Sequence, residues 1–457
     1  MVNKLKILFL SKESDSSGLW YQCHREGAEV WAYIKEPWAR KAMDEIVPKV
    51  ETISEGLKYK PDVIVVDQNF MGEECEKLRK DGYRVVGGSK LAERLEFDRN
   101  YGISVAKQFG LSVPEYQKFS SVDDAIAYVK KQNQAFAIKI DHADSEASSY
   151  VAKDATDMVD YLSYAKEKKT IKPSSTFVIQ KKIEGTEVSN ECFFFDGTPI
   201  LSSINTTFES KFFQSEGYGV RTGAEVSLVC HFEGHSDLYD ATIRRLLPLL
   251  KHTRWNGPID SNSIVEKGTK KCQFLEFTPR FGYSAIFAYM AMLGMPISQF
   301  FYQISRGVLE IPYKATWATS LKLSIPPYPT SSDDPEVVKK IYSKIEGVKI
   351  NGEYGKDFIP IDVKKGDRTE LMCAGVTGII GECLGRGNSV LEAWRASQKV
   401  SKSVEAPNKQ CRYVDGMEGL WKRVMELRNM GFNIPKPISA EGGKELLPLS
   451  NLKPSAV

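Results

Sequence analysis

Trp255-Asn-Gly-Pro-Ile-Asp260-Ser-Asn-Ser-Ile-Val265, followed by Gln273-Phe-Leu-Glu276-Phe-Thr-Pro-Arg280-Phe-Gly282, reads as the two strands of a hairpin. Ile264-Val265 and Phe274-Leu275 flank a charged turn centred on Gly268. Each strand carries one carboxylate among mostly apolar neighbours, Asp260 on the first and Glu276 on the second. Antiparallel pairing brings such side chains within roughly 5 Å of each other, or about 7–8 Å on the diagonal. Two unpaired carboxylates at that range repel, so the spacing suits a cation held between them. Oxygen donors with room for water and a phosphate suit Mg2+ (or Mn2+) held between Asp260 and Glu276. Arg280 adds a fixed charge for a phosphate or carboxylate. The plainer reading is a strand pair bearing two solvated acids, and the flanking chain has to decide between them.

Upstream, the chain alternates strands and helices. Lys6–Leu10, Ala28–Ile34, Pro61–Val66 and Tyr83–Val86 read as strands with helical stretches between them, which predicts a small parallel sheet. Ligands of such sheets sit at the carboxyl ends of the strands. That points to Ser11–Gly18, including Ser17 and Gly18, and to Asp67–Phe70; a plain turn fits the serine-rich loop equally well. Gly88 to Gly110 reads as one long helical run carrying Arg99, and Ser121 as the cap of a further helix.

Ala135–Ile140 is a strand with Lys139 among apolar residues, either a phosphate-holding charge or a lysine that reaches the surface. The small-residue loop after it, with Ser145, Ser148 and Ser149, can bring amides and hydroxyls over phosphates. Gln180, Lys181 and Ile183 form a short hinge after a strand, with backbone groups available to adenine. Glu187 is either a ribose acceptor or a solvated strand end. Taken singly these are weak; their order, ending at Asp260 and Glu276, is what suggests a nucleotide site.

In that order the chain resembles the ATP-grasp enzymes, and within them the phosphoribosylamine–glycine ligase family. The resemblance rests on Gly88-Ser-Lys90 with Leu95-Glu96 and Arg99, on Leu111-Ser-Val-Pro114, on Ile179 to Glu187, and on Lys211 followed by Gly219, Arg221, Thr222 and Gly223. Further matches are Phe274 to Gly282, Gly375-Val-Thr-Gly, Gly385 to Ala393, and Cys411-Arg412-Tyr-Val-Asp415-Gly416. It implies an ATP-grasp fold of mixed α/β and α+β domains. The expected segments are an amino-terminal Rossmann-like domain (1–110), two ATP-grasp subdomains (111–195 and 196–325), a carboxyl-terminal domain (326–430) and a loosely attached tail (431–457).

It also implies ATP with Mg2+ as cofactors and amide formation through an acyl phosphate. The family reaction joins phosphoribosylamine and glycine in purine biosynthesis. By the same resemblance Arg280 and Lys211 are the catalytic candidates. Arg99, Lys139, Ser145, Ser148, Ser149, Gln180, Lys181, Ile183 and Glu187 would hold ATP. Ser17, Gly18, Asp67, Arg221, Thr222, Gly223, Arg412 and Asp415 would hold substrate, with a solvated loop as the other reading of Arg221.

Several positions depart from the family pattern. Thr278 stands where the family's metal-holding hairpin usually has an asparagine; by the resemblance it joins Asp260 and Glu276 as a metal donor, offering a shorter-reaching oxygen. The residues after Gly282 lose the family's D-P-E. The phosphate loop around Glu146-Ala-Ser148-Ser149 is closer to that of the D-alanine ligases. The amino-terminal glycine-rich loop is replaced by Ser11–Gly18, and the G-P-E after the third strand by Asp67-Gln68-Asn69. The last two segments are those the resemblance places against the amine. A ligase for a different amine or amino acid, and a nucleotide-binding protein without turnover, are therefore the rival readings.

Composition bounds the rest. The 457 residues suffice for several domains, and 62 basic against 59 acidic residues give no global field for nucleic acid. The apolar run at the amino terminus is too short for a signal or membrane span, and Gly294 and Pro296 interrupt the apolar stretch Phe281–Phe301. Eight scattered cysteines read as reduced packing residues of a cytoplasmic protein. His231 and His235 lack the spacing of a zinc helix. The expected partners are small molecules, with no nucleic acid or membrane, for a monomer or homodimer.

Overall fold

The computed structural model describes residues 4–140, 149–171, 176–214, 217–330, 332, 334–367, 370–412 and 417–437. The amino-terminal strands β1 (Lys6–Ser11), β2 (Glu29–Ile34), β3 (Lys49–Val50), β4 (Val63–Val66) and β5 (Val85–Val86) form one parallel sheet in the order β3-β2-β1-β4-β5. β1 and β4 are buried on both faces, which is why they read as unbroken apolar runs rather than alternations. The order reverses at β1–β4, so the crevice beyond their carboxyl ends is lined by the Ser11–Ser17 loop and Asp67–Asn69. The two-residue edge strand β3 carries no sequence pattern of its own. The single helix expected from Gly88 to Gly110 is two helices, Lys90–Phe97 and Arg99–Gln108. They part at Asp98, whose carboxylate caps the second by accepting from the Tyr101 N–H at 2.9 Å. That break makes Arg99 the first residue of a helix.

A second, small antiparallel sheet has the order β6-β9-β7-β8, from β6 (Tyr116–Phe119), β7 (Phe136–Ile140), β8 (Ser149–Val151) and β9 (Phe177–Lys181). Helices Val122–Gln132 and Ala155–Glu167 supply Ala125, Val129, Met158 and Leu162 to a core shared with Phe136, Ile138 and Phe177. Ser121 caps the first of these helices as its sequence suggests. This core is separate from the main one, so the small sheet is a unit of its own.

The large sheet contains β10 (Gly185–Phe195), β11 (Thr198–Phe212), β12 (Arg221–His231), β13 (Gly257–Glu266), β14 (Cys272–Thr278) and β15 (Trp317–Ser324). β17 (Phe358–Pro360) and β20 (Ile379–Gly387) complete it in the order β14-β13-β10-β11-β12-β15-β20-β17. It therefore takes strands from three of the expected segments. A further three-stranded sheet, β16 (Lys349–Ile350), β18 (Val363–Lys365) and β19 (Leu371–Cys373), lies beside it in the chain. The stretch Phe281–Phe301 contains two buried helices, Ala285–Met292 and Ile297–Ile304, parted around Gly294. No helix of the described residues is long and apolar enough to cross a membrane.

Gly257 joins the parallel sheet to the large one. Its φ of +104° and its contact with the Gly87 backbone leave no space for a side chain, and the Gly87 N–H donates to the Asn256 carbonyl at 3.3 Å.

The large sheet also carries a buried ion network. Lys322 on β15 is 6% exposed and lies 3.6 Å from the Glu225 carboxylate, which is 1% exposed. Glu225 accepts from the hydroxyls of Thr222 (2.7 Å) and Tyr328 (2.9 Å). Lys322→Met leaves that carboxylate buried without its cation and should cost about 3–5 kcal/mol of stability. The change reads out as a lower urea midpoint at unchanged slope.

Candidate active site

The hairpin register decides how the two strand acids meet. Thr278 lies opposite Asp260, and Asn262 lies opposite Glu276, so Asp260 and Glu276 are diagonal neighbours on one face. The Thr278 hydroxyl donates to Asp260 Oδ2 at 2.9 Å and accepts from Asn262 Nδ2 at 3.0 Å, and Ser189 donates to Asn262 Oδ1. Thr278 thus orients Asp260 through its hydroxyl. On the other flank, Glu191 of β10 faces Asp260 across the ladder. Burial and then the Glu191 charge push the Asp260 carboxyl well above the carboxylate range, against the pull of Thr278 and Arg280. Burial pushes Glu191 to about 7, although its Oε2 accepts from Asn205 at 2.9 Å.

Asp260 Oδ1 is buried with no hydrogen-bond partner. An orphaned acceptor beside a second acid, with Glu276 about a quarter exposed (29%), fits a divalent cation that takes one or two carboxylates and completes its shell elsewhere. Among the described residues no group of three or more His, Cys, Asp or Glu side chains gathers as a full metal cage.

The other nucleotide candidates converge on the same face. Arg99, at the start of its helix, forms an ion pair with Glu276. Lys139 reaches from the small sheet across to β14, the edge strand of the large one, and donates to the Leu275 carbonyl at 2.9 Å. Burial first, then the charges of Arg99 and Lys211, lower the Lys139 ammonium to about 7, against the pull of Glu187. Lys211 on β11 donates to Glu187 Oε1 at 2.6 Å and lies 3.5 Å from Glu209. Burial would raise Glu187, but Lys211, Arg221 and Arg423 outweigh it and hold the carboxyl at about 2. Gln180 is buried at the end of β9, with Nε2 lacking a partner, next to exposed Lys181 and half-buried Ile183. Ser145 and Ser148 lie outside the described residues, as does the Ser149 side chain; the Ser149 backbone begins β8.

Arg280 donates to Glu96 at 2.9 Å and lies 4.8 Å over the Tyr283 ring, which fixes its guanidinium. Thr222 is tied to Lys211 O at 3.1 Å and to Glu225, Arg221 lies over Phe212 at 5.4 Å, and Gly223 is exposed. Arg412 donates to Phe212 O at 2.9 Å, so it joins the Lys211 end of the site; Asp415 lies outside the described residues. Ser17 and Gly18 sit in packing: Ser17 Oγ donates to Ile361 O at 2.8 Å, and a side chain at Gly18 would meet Ile359 at 2.7 Å and Phe287 at 2.9 Å. Asp67 follows β4 and accepts from Ser16.

Sequence reasoning passed over Glu191, Asn262, Glu209 and Arg423. The polar alternation Glu187, Ser189, Glu191 was the available signal for the first, since every second strand residue shares a face. Arg423, which donates to Glu209 O at 2.7 Å, comes from helix Glu418–Asn429 and carries no local signal.

No protein-family profile matches the chain. Among curated proteins it is 21% identical over 349 residues to phosphoribosylamine–glycine ligase of Helicobacter pylori, spanning 72% of this chain and 75% of that one. Among solved structures it is similar to phosphoribosylamine–glycine ligase of Thermotoga maritima, at TM-score 0.67 and 17% identity, over 90% of this chain and 99% of that one. It is also similar to biotin carboxylase of Campylobacter jejuni, at TM-score 0.62 and 10% identity, over 94% and 97%. The chain has the ATP-grasp fold expected of it. Within that fold it is a divergent protein similar to the phosphoribosylamine–glycine ligases.

Proposed function

We propose that the chain is an ATP-dependent carboxylate–amine ligase that forms an amide through an acyl phosphate. The observation that carries this reading is the meeting of Arg99, Lys139, Lys211 with Glu187, and the Asp260–Glu276 face between the small and large sheets. A carboxylate oxygen attacks the terminal phosphorus of ATP, and ADP leaves. The amine nitrogen then attacks the acyl carbon, loses a proton, and phosphate departs. This chemistry needs neutralised charge and fixed geometry more than a nucleophilic side chain.

Asp260 and Glu276 would hold Mg2+, which supplies charge neutralisation on the phosphates when bound. Arg99 and Lys139 bind phosphate oxygens, and Gln180 with the Lys181–Ile183 backbone holds adenine. Glu187, kept ionised by Lys211, accepts from ribose hydroxyls. Arg280, locked by Glu96 and Tyr283, faces the transferred phosphoryl group. Lys211, Arg221, Thr222, Gly223 and Arg412 lie at one end of the face, available to the carboxylate substrate. The name of the similar enzymes supplies glycine and phosphoribosylamine as one substrate pair. The crevice beyond β1 and β4, where the Ser11–Ser17 loop and Asp67–Asn69 supply the acids Asp15 and Asp67, favours a second reading, the same chemistry with a different amine.

Lys139 gives the nucleotide step a pH signature. A bound polyphosphate favours the charged lysine, so above pH 7 binding must draw a proton from solvent. Affinity is then flat below pH 7 and falls by up to about tenfold per unit as pH rises past it. Titration calorimetry at pH 8 in buffers of different ionisation enthalpy should register uptake of close to one proton more than in Lys139→Met. The ligase reading itself is tested by ADP release from a panel of acids and amines. Release that requires both an acid and an amine supports it; release with neither, or none with any pair, removes it.

A further inference from the structure

The crevice beyond the carboxyl ends of β1 and β4 is built from three segments: the Ser11–Ser17 loop, Asp67–Asn69, and the Arg280–Tyr283 turn after β14. Its two cations already have carboxylate neighbours. Lys12 lies 3.1 Å from Glu13, and Arg280 lies 2.9 Å from Glu96. Two acids are left over, Asp15 and Asp67. Asp15 accepts from Gln68, and Asp67 from Ser16, but among the described residues neither meets a cation within ion-pair distance.

The unsatisfied atoms point the same way. Asp67 is fully buried, and its Oδ1 has no partner; Asn69 is 3% exposed, and its Oδ1 has none either. Gln68 Oε1 and the Tyr283 hydroxyl are also buried and unpartnered. Three of these four atoms can only accept. The amide donors suited to an anion are taken, Asn69 Nδ2 by Glu96 (2.8 Å) and the Pro279 carbonyl and Gln68 Nε2 by Asp15. Buried acceptors without donors cost free energy until something supplies N–H or O–H groups. An ammonium group supplies several donors together with the missing positive charge. A phosphate in the same place would add negative charge beside two carboxylates.

We propose that this crevice binds a cationic amine between Asp15 and Asp67, and that such an amine, rather than a phosphorylated one, is the acceptor in the ligase reading on which this inference rests. The acids' ionisation agrees. Burial, Glu13 and Asp67 push Asp15 to about 7 against the pull of Arg280 and Lys12, and burial pushes Asp67 to about 6 despite the hydroxyls of Ser11 and Ser16. A bound ammonium would restore both charges.

Titration calorimetry on the full chain without nucleotide tests the site, with 1,4-diaminobutane, neutral 1,4-butanediol and anionic ribose 5-phosphate as probes. The diamine should bind at least about tenfold more tightly than the diol, and Asp67→Asn should lose about tenfold or more. Asp15→Asn should weaken it in the same direction, which guards against a folding defect in the more buried variant; thermal melts check both. Ribose 5-phosphate binding more tightly than the diamine overturns the proposal, as does diamine binding unchanged in both variants. Diamine binding without ADP release from any acid–amine pair leaves the site standing and removes the ligase reading.

Discussion

Glu276→Gln should lower ATP turnover by about a hundredfold or more while leaving the fold nearly as stable as before. The substitution keeps the shape of the side chain and removes one of the two charges proposed to hold a divalent cation. Loss of an electrostatic contact of this kind at a phosphoryl-transfer centre costs about 10²–10³ in rate. The structural cost is small because the Arg99–Glu276 pair is about a quarter exposed on each side (25% and 29%). Partly exposed pairs of this sort contribute about 0–1 kcal/mol. Chemical denaturation and ADP release on the same preparation would separate the two effects. A large stability loss with retained turnover would make Glu276 a structural residue.

Lys139→Met should weaken nucleotide binding by roughly 10- to 100-fold, the worth of one charge-assisted hydrogen bond in a buried site. Methionine matches the length of lysine and fills the same space without a charge. Removing a desolvated ammonium relieves a cost that the folded state carries, while the Leu275 carbonyl loses its donor at 2.9 Å. These opposing terms should leave stability within about 2 kcal/mol of the parent. Fluorescence titration with a nucleotide analogue measures the affinity. An unchanged dissociation constant would remove Lys139 from the nucleotide site and leave it the structural role of donating to the Leu275 carbonyl on the edge strand.

Much of this site is legible in the order of residues, because the strands that carry it alternate polar and apolar positions. Asp260, Glu276 and Glu187 stand out as acids in such strands, and the spacing of the first two around a glycine turn specifies a hairpin. The register does not follow from that pattern. Only the folded ladder shows that Thr278 faces Asp260 and that Glu191 approaches from the other side. The helix break at Asp98 was equally hidden: Asp98 serves as a cap in the middle of a run with good helix formers on both sides.

The acidic crevice draws on residues from Asp15 to Tyr283, and no local signal links positions so far apart. Ser17 and Gly18 show the converse. A serine-rich loop ending in glycine reads as a ligand cradle, yet these two residues are used for close packing against Ile359, Ile361 and Phe287. Short polar residues suit both tasks, and only the neighbours tell them apart.

The most direct test of the ligase chemistry follows an oxygen atom. The acid that supports ADP release is supplied with heavy oxygen in its carboxylate, and the inorganic phosphate is analysed by mass spectrometry. Acyl-phosphate formation transfers one carboxylate oxygen to each phosphate released, so the phosphate should carry a single heavy atom. Unlabelled phosphate at full turnover would mean that water, not a carboxylate, attacks ATP, and would contradict the proposed function.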